Sequence, residues 1–336
     1  MKIVSRAPTR IGLVGGGTDI NPFAAEHGGI VLSLAIDLYH RAVLTPHKKK
    51  QAVVFCLEER RNFYLREVLK YSEDKKFNLV KTVINYFRQQ IRTGFNLKVV
   101  FEGVGSSGLG SSASAAVAMI GAFKQWLGIE FSRLETALLA FSLEADELGW
   151  TTGKQDQLAA VFGGLNVFYF GPGQKVAVEA LELKRSKIQK LRSWTVLCFT
   201  GKTRRSTEVQ KLLKEKMRHY TRERELFALK DSVYEAIRYV KQGQLLKLGR
   251  LLDEVWLNKK KANPAASNKR IDYLYSEAKK KGALGGKIMG AGRQGHMFFL
   301  CPPERQPGLK KFLKKEKAVI VDFDFDFQGL TTEIEK

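Results

Sequence analysis

The chain reads as an α+β protein in two domains, and three observations carry that expectation. Its 336 residues exceed the size at which one hydrophobic core usually stops growing. The first half runs from β-branched, strand-like segments into a strand, a glycine-rich loop and an Ala-rich helical stretch, whereas the second half sets helices beside short apolar strands, the pattern of a helix-covered antiparallel sheet. Between the halves, at 175–190, the composition turns basic and helical, which divides the chain into one domain over 1–180 and another over 181–336.

In order, residues 30–37, 41–46 and 51–57 are apolar or β-branched runs separated by turn-like or charged breaks, as in an antiparallel meander that begins near residue 3. Residues 77–93 carry helical spacing and 95–102 alternate as a strand. The Ala-rich stretch 111–127 has strong helix propensity and small side chains suited to close packing. A second helix is expected over 132–148, closed by Gly149 in a left-handed cap. Strands follow at 165–170 and 175–181. In the second half strands fall at 194–200, 285–290, 295–301 and 319–325, with several helices before 281 and a short basic one between the last two strands.

Composition narrows the function. No apolar run approaches the roughly 20 residues needed to cross a bilayer, and the N-terminus enters a strand-like pattern directly, so a cytoplasmic protein without membrane contact is expected. Cys56, Cys198 and Cys301 lie far apart in apolar strand-like segments, which argues for buried thiols and against a disulfide framework. A formal net charge of +23 creates a field that attracts phosphorylated ligands or nucleic acid, although most of the basic clusters read as solvated surface.

The sharpest feature is Gly103-Val104-Gly105-Ser106-Ser107-Gly108-Leu109-Gly110-Ser111-Ser112-Ala113-Ser114, four glycines and five serines in twelve residues ahead of a helix. Glycines let backbone wrap closely around a phosphate, and the helix N-terminus offers free N–H groups and the positive end of a dipole. The spacing is neither a Walker loop nor a dinucleotide fingerprint, since no Lys follows Gly110.

This loop resembles the nucleotide loop of the galactokinase, homoserine kinase, mevalonate kinase and phosphomevalonate kinase (GHMP) superfamily. Two further segments are similar to that family's motifs: Arg6-Ala7-Pro8-Thr9-Arg10-Ile11 with Gly15-Gly16-Gly17-Thr18-Asp19 on the substrate side, and Lys287-Ile288-Met289-Gly290-Ala291-Gly292 near the C-terminus. The resemblance implies an N-terminal ribosomal-protein-S5-like domain and a C-terminal ferredoxin-like α/β plait. Within the superfamily, Gly153-Lys154-Gln155-Asp156-Gln157, Thr200-Gly201-Lys202-Thr203-Arg204 and Gly282-Ala283-Leu284-Gly285-Gly286-Lys287 look most like the D-glycero-D-manno-heptose 7-phosphate kinases.

By that resemblance ATP would be held by Gly105, Ser106, Ser107, Gly108, Leu109, Gly110, Ser111, Ser112 and Ala113, with the glycine motif Gly290, Ala291 and Gly292 nearby. Asp156 would accept or orient the proton of the attacking hydroxyl, and Arg10 would keep Asp156 ionised and neutralise charge during transfer. Mg2+ would be bound by Glu144 with Ser111 or Ser112; Glu147, one helical turn on, is an equal candidate on position alone. Thr18 and Asp19 would meet sugar hydroxyls, and Lys202, Arg204 and Arg205 a phosphate already on the substrate. Departures are Val104-Gly105-Ser106 where the family places proline and glycine, and Arg293-Gln294 inside the C-terminal glycine run, where positive φ is costlier than for glycine and from which Arg293 would reach a phosphate.

The expected activity is transfer of the γ-phosphate of ATP to the anomeric hydroxyl of heptose 7-phosphate. The alternatives are a kinase of a free sugar such as fucose or galactose and, in a different class, a basic nucleic-acid-binding protein; against the latter, the basic clusters lack interleaved aromatics. Oligomeric state is left open, a homo-oligomer being compatible with everything above.

Overall fold

The computed structural model describes residues 1–73, 75–105, 108–201 and 223–335. Its first sheet contains β1 (Lys2–Val14), β2 (Gly29–His47), β3 (Gln51–Cys56), β4 (Glu59–Tyr64), β5 (Gly94–Phe101), β6 (Leu165–Phe170) and β7 (Val176–Ala180). The second contains β8 (Thr195–Phe199), β9 (Gly285–Ile288), β10 (His296–Leu300) and β11 (Val319–Val321), all antiparallel in the order β11-β8-β10-β9. The last strand, β12 (Thr331–Glu335), leaves that unit and pairs with β1 in register Lys2 to Glu335, so the chain end lies in the first sheet although it falls within 181–336. Its half-polar Thr-Thr-Glu-Ile-Glu carries no periodic apolar signal from which a strand could be read.

The meander expected at the start is corrected in two respects. The runs 30–37 and 41–46 form one 19-residue strand, β2, whose first part pairs with β6 and whose second part pairs with β5. The next strand, β3, is not beside β2: β5 inserts between them, parallel to β3. Phe95, Leu97 and Val99 give β5 a wholly buried face that suits an interior position, whereas the polar β4 is half exposed and suits an edge.

The helices are α1 (Phe23–His27), α2 (Asn78–Phe87), α3 (Ser111–Leu127), α4 (Arg133–Ser142), α5 (Gln155–Phe162), α6 (Arg185–Ser193), α7 (Glu223–Gln242), α8 (Leu245–Ala262), α9 (Lys269–Lys280) and α10 (Gln306–Lys315). A capping box between Ser132 and Glu135 starts α4. The segment expected as its continuation is a π-helical turn, Leu143–Glu147, which ends before Gly149 at φ 64°. None of the described helices is long and apolar enough to cross a membrane.

One core packs α2, α3, α4 and α5 on the first sheet, with Phe123 stacked on Phe87 at 5.2 Å. A second lies between the sheets, joining Ile11, Leu13, Leu32 and Leu34 to Leu197, Phe199, Phe298 and Leu300. A third joins the opposite faces of β8 and β10, Val196, Cys198, Met297 and Phe299, to Trp256, Ile271 and Leu309. The period-2 alternation of β8 and β10 thus closes two cores at once. Cys56, Cys198 and Cys301 are free, the last two buried.

Candidate active site

The glycine loop ends at Gly110, whose φ of 77° turns the chain into α3. The first helical bond runs from the Ser114 N–H to the Gly110 carbonyl at 3.0 Å, so the N–H groups of Ser111, Ser112 and Ala113 precede the helical ladder and are available to an anion. Gly108, at φ 93°, lies directly against the C-terminal glycine motif: a Cβ on Gly290 would stand 2.7 Å from the Gly108 Cα. Two glycine segments therefore interlock through Gly108 and Gly290, which are 182 residues apart in sequence, and only glycine permits the approach. Leu109 is buried between the sheets. Ser106 and Ser107 lie outside the described residues, as do Lys202, Arg204 and Arg205.

Arg10, on β1, is buried and ties three parts of the site together. Its Nε donates to Asp156 Oδ1 at 2.7 Å, Nη2 stands 2.7 Å from the same oxygen, and Nη1 donates to the Gly108 carbonyl at 2.7 Å. The Arg10 backbone N–H also donates to the Leu109 carbonyl at 3.0 Å. Asp156 sits in the first turn of α5, where a carboxylate is favoured by the helix dipole, and its side chain faces a cleft of about 560 Å³. Oδ2 accepts no hydrogen bond among the described residues and is the oxygen left for a ligand.

Asp19 lines the same cleft beside Asp156 and is held by the Gly17 N–H at 3.1 Å, the Gln155 N–H at 3.3 Å and Gln155 Nε2 at 3.0 Å. Burial, then the neighbouring Asp156 charge, push its carboxyl above the ordinary range. Thr18 is not brought to the cleft, which corrects its expected role. It is wholly buried, and its Oγ1 donates toward the Gly15 and Ile30 carbonyls and accepts from the Ile30 N–H. It staples the glycine turn that carries Asp19.

Glu144, in the π-helical turn, points inward with 1% exposure, while Glu147 is exposed, so the fold separates two carboxylates that sequence position left equivalent. Ser112 and Gln157 hydrogen-bond Glu144. Burial, with a smaller contribution from Asp156, raises its carboxyl to about 7. Beneath the loop, His40 is stacked on Phe101 at 4.8 Å, with Nδ1 2.8 Å from Ser114 Oγ and Nε2 3.5 Å from Ser111 Oγ.

The N-terminal domain model of the GHMP kinases matches residues 78–164, which contain the glycine loop, Glu144 and Asp156, and the family's C-terminal model matches residues 236–318, which contain the second glycine motif. A D-glycero-alpha-D-manno-heptose 7-phosphate kinase of Campylobacter jejuni is 31% identical over 332 residues, 98% of each chain. The chain belongs to the GHMP kinases. Among solved structures, one described as a D-glycero-D-manno-heptose 1-phosphate kinase from Bacteroides thetaiotaomicron superposes with a TM-score of 0.83 at 26% identity, covering 99% of each chain. A Lactococcus lactis galactokinase complexed with galactose shares the fold, with a TM-score of 0.77 at 22% identity, over 99% of this chain and 95% of that one.

As a GHMP kinase the chain takes ATP as its phosphoryl donor, and its cleft contains groups that the sequence reading missed. Lys259, the first of three consecutive lysines that read as solvated surface, is half-buried at the cleft, and its Nζ donates to the Gly290 carbonyl at 2.8 Å and the Ile288 carbonyl at 3.3 Å. The spacing of Leu252, Val255, Trp256 and Lys259, on one helical stripe, was the available signal. Burial, then Arg10, depress the Lys259 ammonium to about 8. Lys287, in the C-terminal glycine motif, is also buried and lines the cleft.

Also lining the cleft, His27 pairs with Glu223 and lies 3.7 Å from Glu26. Arg293 adopts a left-handed φ of 65°, so the chain stores the strain that sequence left open there. Its N–H is bound by the Ala266 carbonyl at 2.7 Å, its own carbonyl accepts from Asn268 Nδ2 at 2.7 Å, and it lines a separate groove with Lys315 and Lys317.

Proposed function

We propose that this kinase transfers the γ-phosphate of ATP to the anomeric hydroxyl of D-glycero-D-manno-heptose 7-phosphate in the cytoplasm. The observation that carries the catalytic part is the Arg10–Asp156 pair in the cleft: one carboxylate oxygen is taken by the guanidinium, the other accepts no hydrogen bond among the described residues, and the same guanidinium grips the nucleotide loop. The substrate part rests on the relative that matches over nearly the whole chain.

In this mechanism Oδ2 of Asp156 accepts a hydrogen bond from the attacking hydroxyl and takes its proton as the new O–P bond forms. The bond from the γ-phosphorus to the bridging oxygen breaks in line, and its electron pair leaves with ADP. Arg10 holds the Asp156 carboxylate in place and adds positive charge beside the transferring group, while the N–H groups at the start of α3 hold phosphate oxygens. Asp19, fixed by Gln155, accepts from sugar hydroxyls.

The donor set of Ser111, Ser112 and Glu144 fits Mg2+, being all hard oxygens with a buried carboxylate that has no cationic partner among the described residues. When bound there, the ion would screen the charge of the nucleotide phosphates.

The test is ADP release with ATP, Mg2+ and a panel of heptose 7-phosphate, heptose 1-phosphate, fucose and galactose, beside Asp156→Ala. Turnover specific to heptose 7-phosphate and abolished by the substitution is the expected result. Preference for another acceptor overturns the substrate reading, and retained activity in Asp156→Ala overturns the assignment of Asp156.

A further inference from the structure

Three cations from three different elements, Arg10 of β1, Lys259 of α8 and Lys287 of β9, converge on the cleft. Two of them have evident employment, Arg10 on Asp156 and Gly108, and Lys259 on the carbonyls of Ile288 and Gly290. Lys287 has none: it is 95% buried, given its 5% exposure, yet meets no hydrogen-bond acceptor or carboxylate among the described residues. Its nearest charges are like charges, Lys259 and Arg10, which with burial push its ammonium well below the ordinary lysine range. A buried cation beside two others costs the fold stability, and such a cost is retained where an anion is to be received.

Position decides which anion. Lys287 stands three residues before Gly290, whose backbone touches Gly108 of the nucleotide loop, and its like-charge neighbour Arg10 holds Asp156. The cluster therefore borders the gap between the nucleotide loop and the carboxylate that takes the acceptor's proton. We infer that Lys287 is a further catalytic residue, contacting the phosphoryl group as it passes from ATP to the acceptor, and that Lys259 positions it by anchoring the carbonyls of the glycine motif. This rests on the kinase reading with Asp156 as base, but not on the identity of the acceptor. As the acceptor oxygen bonds to phosphorus and the bridging oxygen departs with its electron pair, charge on the three equatorial oxygens spreads toward Arg10 and Lys287, and no proton need leave the lysine.

The experiment compares wild type with Lys287→Met, which keeps length and apolar stem while removing the charge. It is run on whichever acceptor wild type uses and on the acceptor-independent hydrolysis of ATP, so that a wrong acceptor and a wrong role for Lys287 give different results. The expected outcome is a roughly 10²–10³-fold loss of kcat, unchanged KM for the acceptor, and a thermal midpoint equal to or above that of wild type, because an uncompensated buried charge has been removed. A merely structural lysine would instead lower the midpoint and leave kcat of the folded fraction intact, which overturns the inference. A raised acceptor KM with kcat preserved would place Lys287 on the acceptor's own phosphate and equally overturn it.

Discussion

Gly110→Ala tests whether the end of the glycine loop sets the position of Asp156. Gly110 has φ 77°, and a Cβ added there would lie 3.2 Å from the Cβ, Cγ and Oδ2 of Asp156. The left-handed conformation costs an alanine about 1–2 kcal/mol. The contact is tighter than ordinary van der Waals approach, so the carboxylate must give by a few tenths of an ångström. With about 10²-fold lost per 1 Å of misplacement, that displacement corresponds to a roughly four- to tenfold fall in kcat. Gly128, at the other end of the same helix, supplies the control: its φ is 64°, and a Cβ there meets nothing within 4 Å. Gly128→Ala should therefore lose similar stability while keeping kcat within about twofold of wild type. The assay is steady-state ADP release together with thermal denaturation of both variants. If both lose stability alike and both keep kcat, the loop does not set the carboxylate's position and the reasoning fails.

Thr18→Val should destabilise by about 1–3 kcal/mol, because the buried partners of its hydroxyl are left unpaired, with acceptor KM unchanged in steady-state kinetics; a raised KM would return Thr18 to the substrate. Arg293→Gly should stabilise by up to about 1 kcal/mol, since glycine adopts the left-handed conformation without strain, and denaturant unfolding measures it. Glu144→Gln should raise the Mg2+ concentration for half-maximal turnover by roughly 10–100-fold, read from a metal titration of activity; an unchanged requirement would remove Glu144 from the metal. Lys259, depressed from 10.5 to about 8, carries its full burial penalty below pH 8, and as pH rises from there the unfolded chain binds the extra proton and stability climbs. With Arg10 and Lys287 the charges facing it, Lys259→Met should flatten that climb in unfolding experiments from about pH 8 to 10, and parallel curves would refute it.

What the amino-acid sequence by itself determined was local. The helix over Ser111–Leu127 was legible to the residue because alanine propensity and flanking glycines act within a few residues, and the family was legible because its motifs are short contiguous strings. Which edge each strand took was not, since β2 to β5 pairing and the return of β12 to β1 depend on which apolar faces compete for the interior. Tertiary packing alone separated Glu144 from Glu147, by adding a π-helical turn that carries the first inward. It likewise turned Thr18 away from the cleft and drew Lys259 out of a run of lysines into it. Side-chain burial is a property of what packs against a residue from distant parts of the chain, and so the cationic floor of the cleft, made by Arg10, Lys259 and Lys287 from segments up to 277 residues apart, exists only once the two sheets have closed on each other.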